Sequence, residues 1–233
     1  MLYKKNSLDN NFRGRAGDYN MKKIFFVFLL IFSLLIISGK DYRCEAREDS
    51  FNKLEGYVLD KYEFVESGMK LEYTVKSPIK DEYERIEDIF KSKNNLLISN
   101  GEKYISAKSE NIKYSVNMYN YEDVTKIEVI LINKNSSISN IDLRLLLQEI
   151  RNDNFVDERY FSFIKGKINT KDKNIFDDIE KELQLEINDI LDVNNGYIAK
   201  ATMRDKSDIN IGQINYDTGS YLIIGTPIIF VTY

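Results

Sequence analysis

Histidine and tryptophan are absent from all 233 residues, and the chain carries one cysteine and two prolines. Each shortage closes a route. Without imidazole there is no His metal ligand, no Ser-His-Asp or Cys-His nucleophile system, and no side chain that titrates unperturbed near neutral pH. A glycine-rich phosphate loop is missing as well. Only carboxylates, Lys, Ser/Thr and Tyr are left for chemistry. The single thiol, Cys44, lies near the start, so residues 47–233 have no cysteine at all. That suits an oxidising, extracytoplasmic setting with no disulfide framework.

Long apolar runs are scarce too. The one that stands out is Ile24–Ile37, broken only by Ser33 and preceded by Lys22 and Lys23. It is shorter than the roughly 20 residues a spanning helix prefers. With Cys44-Glu45-Ala46 as a small-x-Ala cleavage pattern, residues 21–46 read as a signal peptide cut between Ala46 and Arg47. An uncleaved membrane anchor is the alternative. Asp41, Tyr42 and Arg43 before Cys44 are wrong for a lipoprotein site. Residues 1–20 have no apolar period, and Ala16-Gly17-Asp18 can be encoded by a ribosome-binding sequence. Met21 is therefore the expected start, with 1–20 a misassigned one.

Charge of one sign is also in short supply. Residues 1–46 hold 8 of the 33 basic and 4 of the 37 acidic residues, leaving 25 against 33, or −8, for the rest. Nucleic-acid binders neutralise phosphates with clustered Lys and Arg, and this balance points the other way.

What is present is a pattern that recurs. "YISAKS" at Tyr104–Ser109 and "YIAKAT" at Tyr197–Thr202 lie 93 residues apart, each after an Asn-Gly pair ending in Gly101 and Gly196. The same offset carries Tyr83, Ile86 and Phe90 onto Phe176, Ile179 and Leu183, and Leu71 and Val75 onto Ile164 and Ile168. Ser77, with Pro78 at the first helical position, opens one helix; Thr170 opens its counterpart.

Strands are expected at about 94–99, 102–109, 111–119 and 124–132, and again at 186–193, 197–203, 207–214 and 220–232. Further helices are expected near Phe51–Val65 and at Ile141–Ile150, the second capped by Asn140 and facing inward through Leu145, Leu146 and Ile150. Gly101 and Gly196 serve as hairpin turns needing positive φ. Pro227, which cannot donate into a ladder, belongs at an edge or bulge. The expected fold is α+β: two tandem copies of a helix-strand-helix-four-strand unit, 47–137 and 138–233. Their antiparallel sheet would carry its helices on one face, in a saddle. One stretch resists, because Tyr197, Ala199, Ala201 and Met203 put their apolar side on the parity opposite to Ile105 and Ala107.

The C-terminal block "GYIAKATMRD…GTPIIFVTY" resembles the YwmB-type family of exported Gram-positive proteins, often labelled TATA-box-binding-like. The resemblance rests on Gly225-Thr226-Pro227-Ile228-Ile229 and Tyr233; Val231-Thr232 stand where an acidic residue usually precedes the tyrosine. It implies the saddle fold and export. The family has no established activity, so it supplies no catalytic residues and no cofactor.

Three local features invite a site. "LDVNNGYI" at 191–198 places Leu191 and Val193 where a calcium loop needs oxygen ligands, so it reads as a hairpin. Asp177, Asp178, Glu180 and Glu182 lie among Lys171, Lys173 and Lys181 on the solvent side of a helix, unlike paired carboxylates facing one substrate. The sixteen tyrosines suit half-buried pleated surfaces. Strand alternation turns Phe161, Phe163, Lys165 and Lys167, with Lys126, Glu128, Ile130 and Ile132, away from the helices. Phe161, Phe163, Ile130 and Ile132 form the expected partner-binding face, unless another segment covers them. The expected role is non-catalytic binding of an envelope or secreted partner, with no cofactor, and with membrane contact only through an uncleaved N-terminal segment. Sequence-specific DNA binding and a carboxylate-dependent cell-wall hydrolase are the competing readings.

Overall fold

Alternating apolar residues build long strands here, and every pairing between them is antiparallel. The computed structural model describes residues 50–169 and 175–230; the expected signal segment, its cleavage point at Ala46 and Arg47, and Tyr233 lie outside the described residues. Helix α1 spans 50–61. It is followed by β1 (Glu63–Val75), α2 (Ile79–Ser92), β2 (Leu97–Gly101), β3 (Tyr104–Lys108), β4 (Ile112–Tyr121) and β5 (Val124–Asn133). Then come α3 (Asn140–Gln148), β6 (Asp157–Ile168), α4 (Ile175–Leu183), β7 (Glu186–Val193), β8 (Gly196–Thr202), β9 (Asp208–Tyr216) and β10 (Gly219–Thr226). The fold is α+β, with one ten-stranded sheet ordered β2-β3-β4-β5-β1-β6-β10-β9-β8-β7. β1 and β6 pair at its centre, with Leu71 opposite Tyr160 and Ser67 opposite Ile164.

All four helices lie on one face. β1 sends Met69, Leu71, Tyr73 and Val75 into a core with Ile86 and Phe90 of α2 and Leu143 and Leu147 of α3. β6 sends Ile164 and Ile168, on the same side of the central pair, into a second core with α4. The helix completing this second core is α1, through Phe51, Leu54, Tyr57 and Val58. Each half thus packs the helix that precedes the other half. Gly166 of β6 makes room for this, since a Cβ there would lie 2.8 Å from both Val58 and Tyr62. Glu55 of α1 joins the two cores by accepting from the Asn140 N–H, at 3.0 and 3.2 Å, at the start of α3.

Several local expectations are corrected. The α2 N-cap is Pro78 with no side-chain cap, and the Ser77 carbonyl instead accepts from the Thr125 hydroxyl at 2.7 Å. Ser139, not Asn140, caps α3, in a reciprocal box with Asp142. That helix buries Leu143 and Leu147 while Leu145 is 55% exposed. Helix α1 stops at 61, short of Val65, and β1 starts at Glu63.

The 93-residue offset does not run through without gaps. The turns Glu102-Lys103 and Asn194-Asn195 are 92 apart, whereas Glu122-Asp123 and Asp217-Thr218 are 95 apart. The parity conflict disappears with that slip, because Ala199 and Ala201 occupy the helix side as Ile105 and Ala107 do.

The two glycines also part company. Gly196 has φ +153°, and a Cβ on it would lie 1.9 Å from the Gln213 carbonyl oxygen. Gly101 ends β2 without positive φ, and nothing lies closer than 3.8 Å to where its Cβ would be. It is not the turn residue. β10 ends at Thr226, so Pro227 lies beyond the strand, not within it.

Candidate functional site

The helix-free face divides into two regions of opposite character. Toward the first half, Glu72 of β1 is ringed by cations: Arg159 at 2.7 Å, Lys70 at 2.8 Å and Lys126 at 3.6 Å. Lys70 also reaches Glu128 at 3.6 Å and stands 4.3 Å from the centre of the Phe161 ring. Burial pushes the Glu72 carboxyl up, but the Lys70 hydrogen bond and the three cations more than reverse it, and its pKa is lowered. The outward residues of β3 and β4 mix polar side chains, such as Ser106, Ser115 and Asn117, with the exposed rings of Tyr104, Tyr119 and Tyr121.

Toward the second half the same face is aliphatic. Alternation in β8, β9 and β10 turns Ile198, Gly212, Ile214 and Ile223 outward, while Ala199, Ile211, Leu222 and Ile224 fill the helix-side core. Proline explains the cover. After Thr226 the chain must leave the ladder, because Pro227 has no N–H to donate. Asn210 donates from Nδ2 to the Pro227 carbonyl at 2.6 Å and holds the departing segment over the sheet. Ile228 and Ile229 then form one wall of a groove of about 470 Å³ whose other walls include Val193, Ile198, Ile214 and Ile223.

The four residues expected to form a partner-binding face are placed as follows. Phe163 is fully buried and Phe161 is 8% exposed. Phe230 covers both, edge-on, at centroid distances of 5.3 and 6.4 Å. Ile130 and Ile132 are half-buried, and Ile132 packs beside Phe163. All four sit on the face that alternation assigned them. The accessible apolar surface lies one to three strands further along, in the groove.

Lys165 stands beside that groove. It pairs across strands with Ile223, and its ammonium lies 5.3 Å from the ring centre of the groove residue Tyr216 and 4.7 Å from that of Tyr221. Burial lowers its pKa, with Glu66, its cross-strand neighbour, acting in the opposite direction.

Sequence reasoning overlooked the groove although one signal was present. If Ala199 and Ala201 face the helices, Ile198 cannot, and a chain released at Pro227 is free to cover it. The other candidates stay apart from it. Asp177, Asp178, Glu180 and Glu182 are exposed on α4, and Glu182 pairs with Lys61. Residues 191–198 form a hairpin with Val193 opposite Gly196. No group of carboxylates placed to hold a metal ion occurs among the described residues, and no described helix is long and apolar enough to cross a membrane.

A third polar cluster lies on the helix side. Glu82 of α2, 1% exposed, accepts from the Tyr73 hydroxyl at 2.7 Å, from Arg85 Nη2 at 2.6 Å and from Asn152 Nδ2 at 2.8 Å. Arg85 also donates to the Ile150 carbonyl at 2.6 Å. Burial raises the Glu82 carboxyl, but these donors outweigh it and the pKa is lowered. The cluster ties α2 and β1 to the segment that follows α3.

No family model matches the chain, and no curated protein matches it. Among solved structures, it is similar to the crystal structure of DynU16, a protein of the dynemicin biosynthetic locus. The identity is 9%, the coverage 68% of this chain and 86% of that one, and the TM-score 0.27. A score that low carries no argument about fold or function.

Proposed function

We propose that this chain is an exported, non-catalytic binding protein that engages a component of the cell envelope through the helix-free face of its second half. The observation that carries the reading is the groove. It is concave, aliphatic and walled by the segment that leaves the sheet at Pro227, whereas the charged groups around Glu72 on the same face pair with one another. Its size falls in the roughly 300–1,000 Å³ range of small-molecule sites.

A tandem duplication with a saddle-like sheet, and kinship with the YwmB-type proteins, belong to the same proposal. Supporting them are the recurring strand-helix-four-strand order, the mirrored strand order about the β1–β6 pair, and the Gly225–Ile229 block with its Pro227 turn. Export rests on the apolar run and cleavage pattern ahead of Arg47.

The test is a photoreactive side chain at Ile228, which is 48% exposed on the rim, in cells that make the protein. A discrete envelope adduct is expected. It should vanish when Gly212→Leu fills the groove without changing the melting temperature. An adduct indifferent to Gly212→Leu, or none at all, sinks the reading.

A further inference from the structure

We infer that the groove is a site for one single-chain anionic amphiphile, its hydrocarbon lying along β8–β10 and its acidic end directed at Lys165. The inference rests on the proposed binding role of this face and specifies the ligand's chemistry. Three observations converge on it.

The first is the lining. Val193, Ile198, Ile214, Ile223, Ile228 and Ile229 are all branched aliphatics, and the one ring among the lining residues belongs to Tyr216. A surface built this way solvates an alkyl chain. Its polar side chains are Asn195, Asn210 and Tyr216, outnumbered by the aliphatic ones. One N–H of the Asn210 amide is taken by the Pro227 carbonyl.

The second is volume. A methylene takes up about as much room as a water molecule, roughly 30 Å³, so 470 Å³ holds a chain on the order of a dozen carbons. Two chains would not fit, which selects a fatty acid or lysolipid over a diacyl lipid.

The third is charge. Lys165 is 8% exposed and its ammonium lies against Tyr216, which also lines the groove, and Tyr221. A cation set in aromatic faces beside an apolar cavity favours a ligand whose polar end is negative. Lys167, alternating with Lys165 on the same face, adds a second positive charge where β10 begins. Glu66 opposes them from β1, which makes the preference for an anion a matter of balance and therefore measurable.

The experiment is calorimetric titration of the protein, purified from the cells that make it and delipidated on a hydrophobic resin, with dodecanoate, dodecanol and dodecyltrimethylammonium. Dodecanoate should saturate one site per chain and bind at least tenfold tighter than the alcohol or the cation. Gly212→Leu should abolish the site; a Cβ at Gly212 has ordinary room, with its nearest neighbour at 3.5 Å. If that variant fails to fold, Ile228→Asp replaces it, setting a carboxylate at the exposed rim. Lys165→Met should bring acid and alcohol to within about twofold.

Absence of saturable dodecanoate binding overturns the inference, as does parent-like affinity in the groove variants. Acid preference retained in Lys165→Met overturns the assignment of the anionic end. Native mass spectrometry of undelipidated protein then separates a free fatty acid from a lysophospholipid. The crosslink at Ile228 keeps the two levels distinct. A protein adduct together with no dodecanoate binding removes the amphiphile and leaves the binding role, while loss of both removes both.

Discussion

The two halves of the sheet mirror each other in strand order and each buries its own core on the helix side, yet their other faces differ. In the first half the outward residues form an ion network around Glu72; in the second they form an aliphatic groove. Covering two cores with two helices each is a requirement of stability, because each strand needs its apolar side buried. The opposite face is under no such demand, and there the halves are free to differ. The comparison therefore directs attention to β8–β10, not to the centre of the sheet where the large aromatics lie.

The sharpest way to break that distinction is at Phe163, the centre of the covered aromatic patch. Its ring lies so close over Gly68 that a Cβ there would come within 2.4 Å. Phe163→Ala should lower stability by about 3–5 kcal/mol in denaturant unfolding, whereas Ile130→Ala, on the same face but half-buried, should cost less than the roughly 2–5 kcal/mol of a buried isoleucine. Equal losses would mean that the face is uniformly packed, and the division drawn above would fail.

The two Asn-Gly pairs give the next largest contrast. Gly196→Val must displace the Gln213 backbone and should destabilise by more than about 1–3 kcal/mol. Gly101→Val, at an extended strand end with free space, should shift the melting temperature little. Similar behaviour in both would restore Gly101 as a turn residue.

Buried carboxylates distinguish the two cores by pH. Glu82 in the first core has a lowered pKa, so its contribution is present above the unfolded carboxylate value and is lost as pH falls through the folded value. Glu55, which bridges from the second core, has a raised pKa, chiefly from burial, with the Asn140 N–H opposing and Asp142 reinforcing the rise. Its contribution is present below the unfolded value and is lost as pH rises through the folded one. Stability measured from pH 3 to 8 should therefore show Glu82→Gln flattening the acid limb. Glu55→Gln should gain on the parent as pH rises. A Glu55→Gln curve parallel to the parent's would refute the sign.

The smallest effect compares helix starts. Ser139→Ala removes a reciprocal cap and should cost about 1 kcal/mol, while Ser77→Ala should be nearly neutral.

Much of this architecture is legible from the residues, and the failures have physical causes. β5 reads correctly to within a residue because alternation there is clean, and the bounds of β7, Glu186 to Val193, are also met although a bulge interrupts it between Ile187 and Asp189. The parity of Phe161 and Phe163 follows from Leu71 and Ile164 by alternation alone. The first six residues of β1, Glu63–Gly68, escape notice because central pairing with β6, not local alternation, makes them a strand. In α3, "IDLRLLLQEI" offers two apolar stripes, and only the position of β1 and β5 selects Leu143 and Leu147 over Leu145. The groove is a tertiary event. Pro227 marks where the ladder ends, but nothing local says that Ile228–Phe230 will return across β6 and β9 instead of running into solvent.

Exchange of the leading helices also sets an order on synthesis. The partners of Leu54 and Val58 include Ile164, Ile168, Leu222 and Ile224, all more than 100 residues downstream in the numbering of the chain. As the chain emerges, the core around α1 cannot be completed until the last strand has followed it out. The first core likewise waits for Leu143 and Leu147, so neither half closes on its own schedule. Contacts this distant in sequence make for slow folding, and the second core stays open until the chain is nearly finished. A polypeptide that must be threaded through a pore before it folds would gain from such a delay.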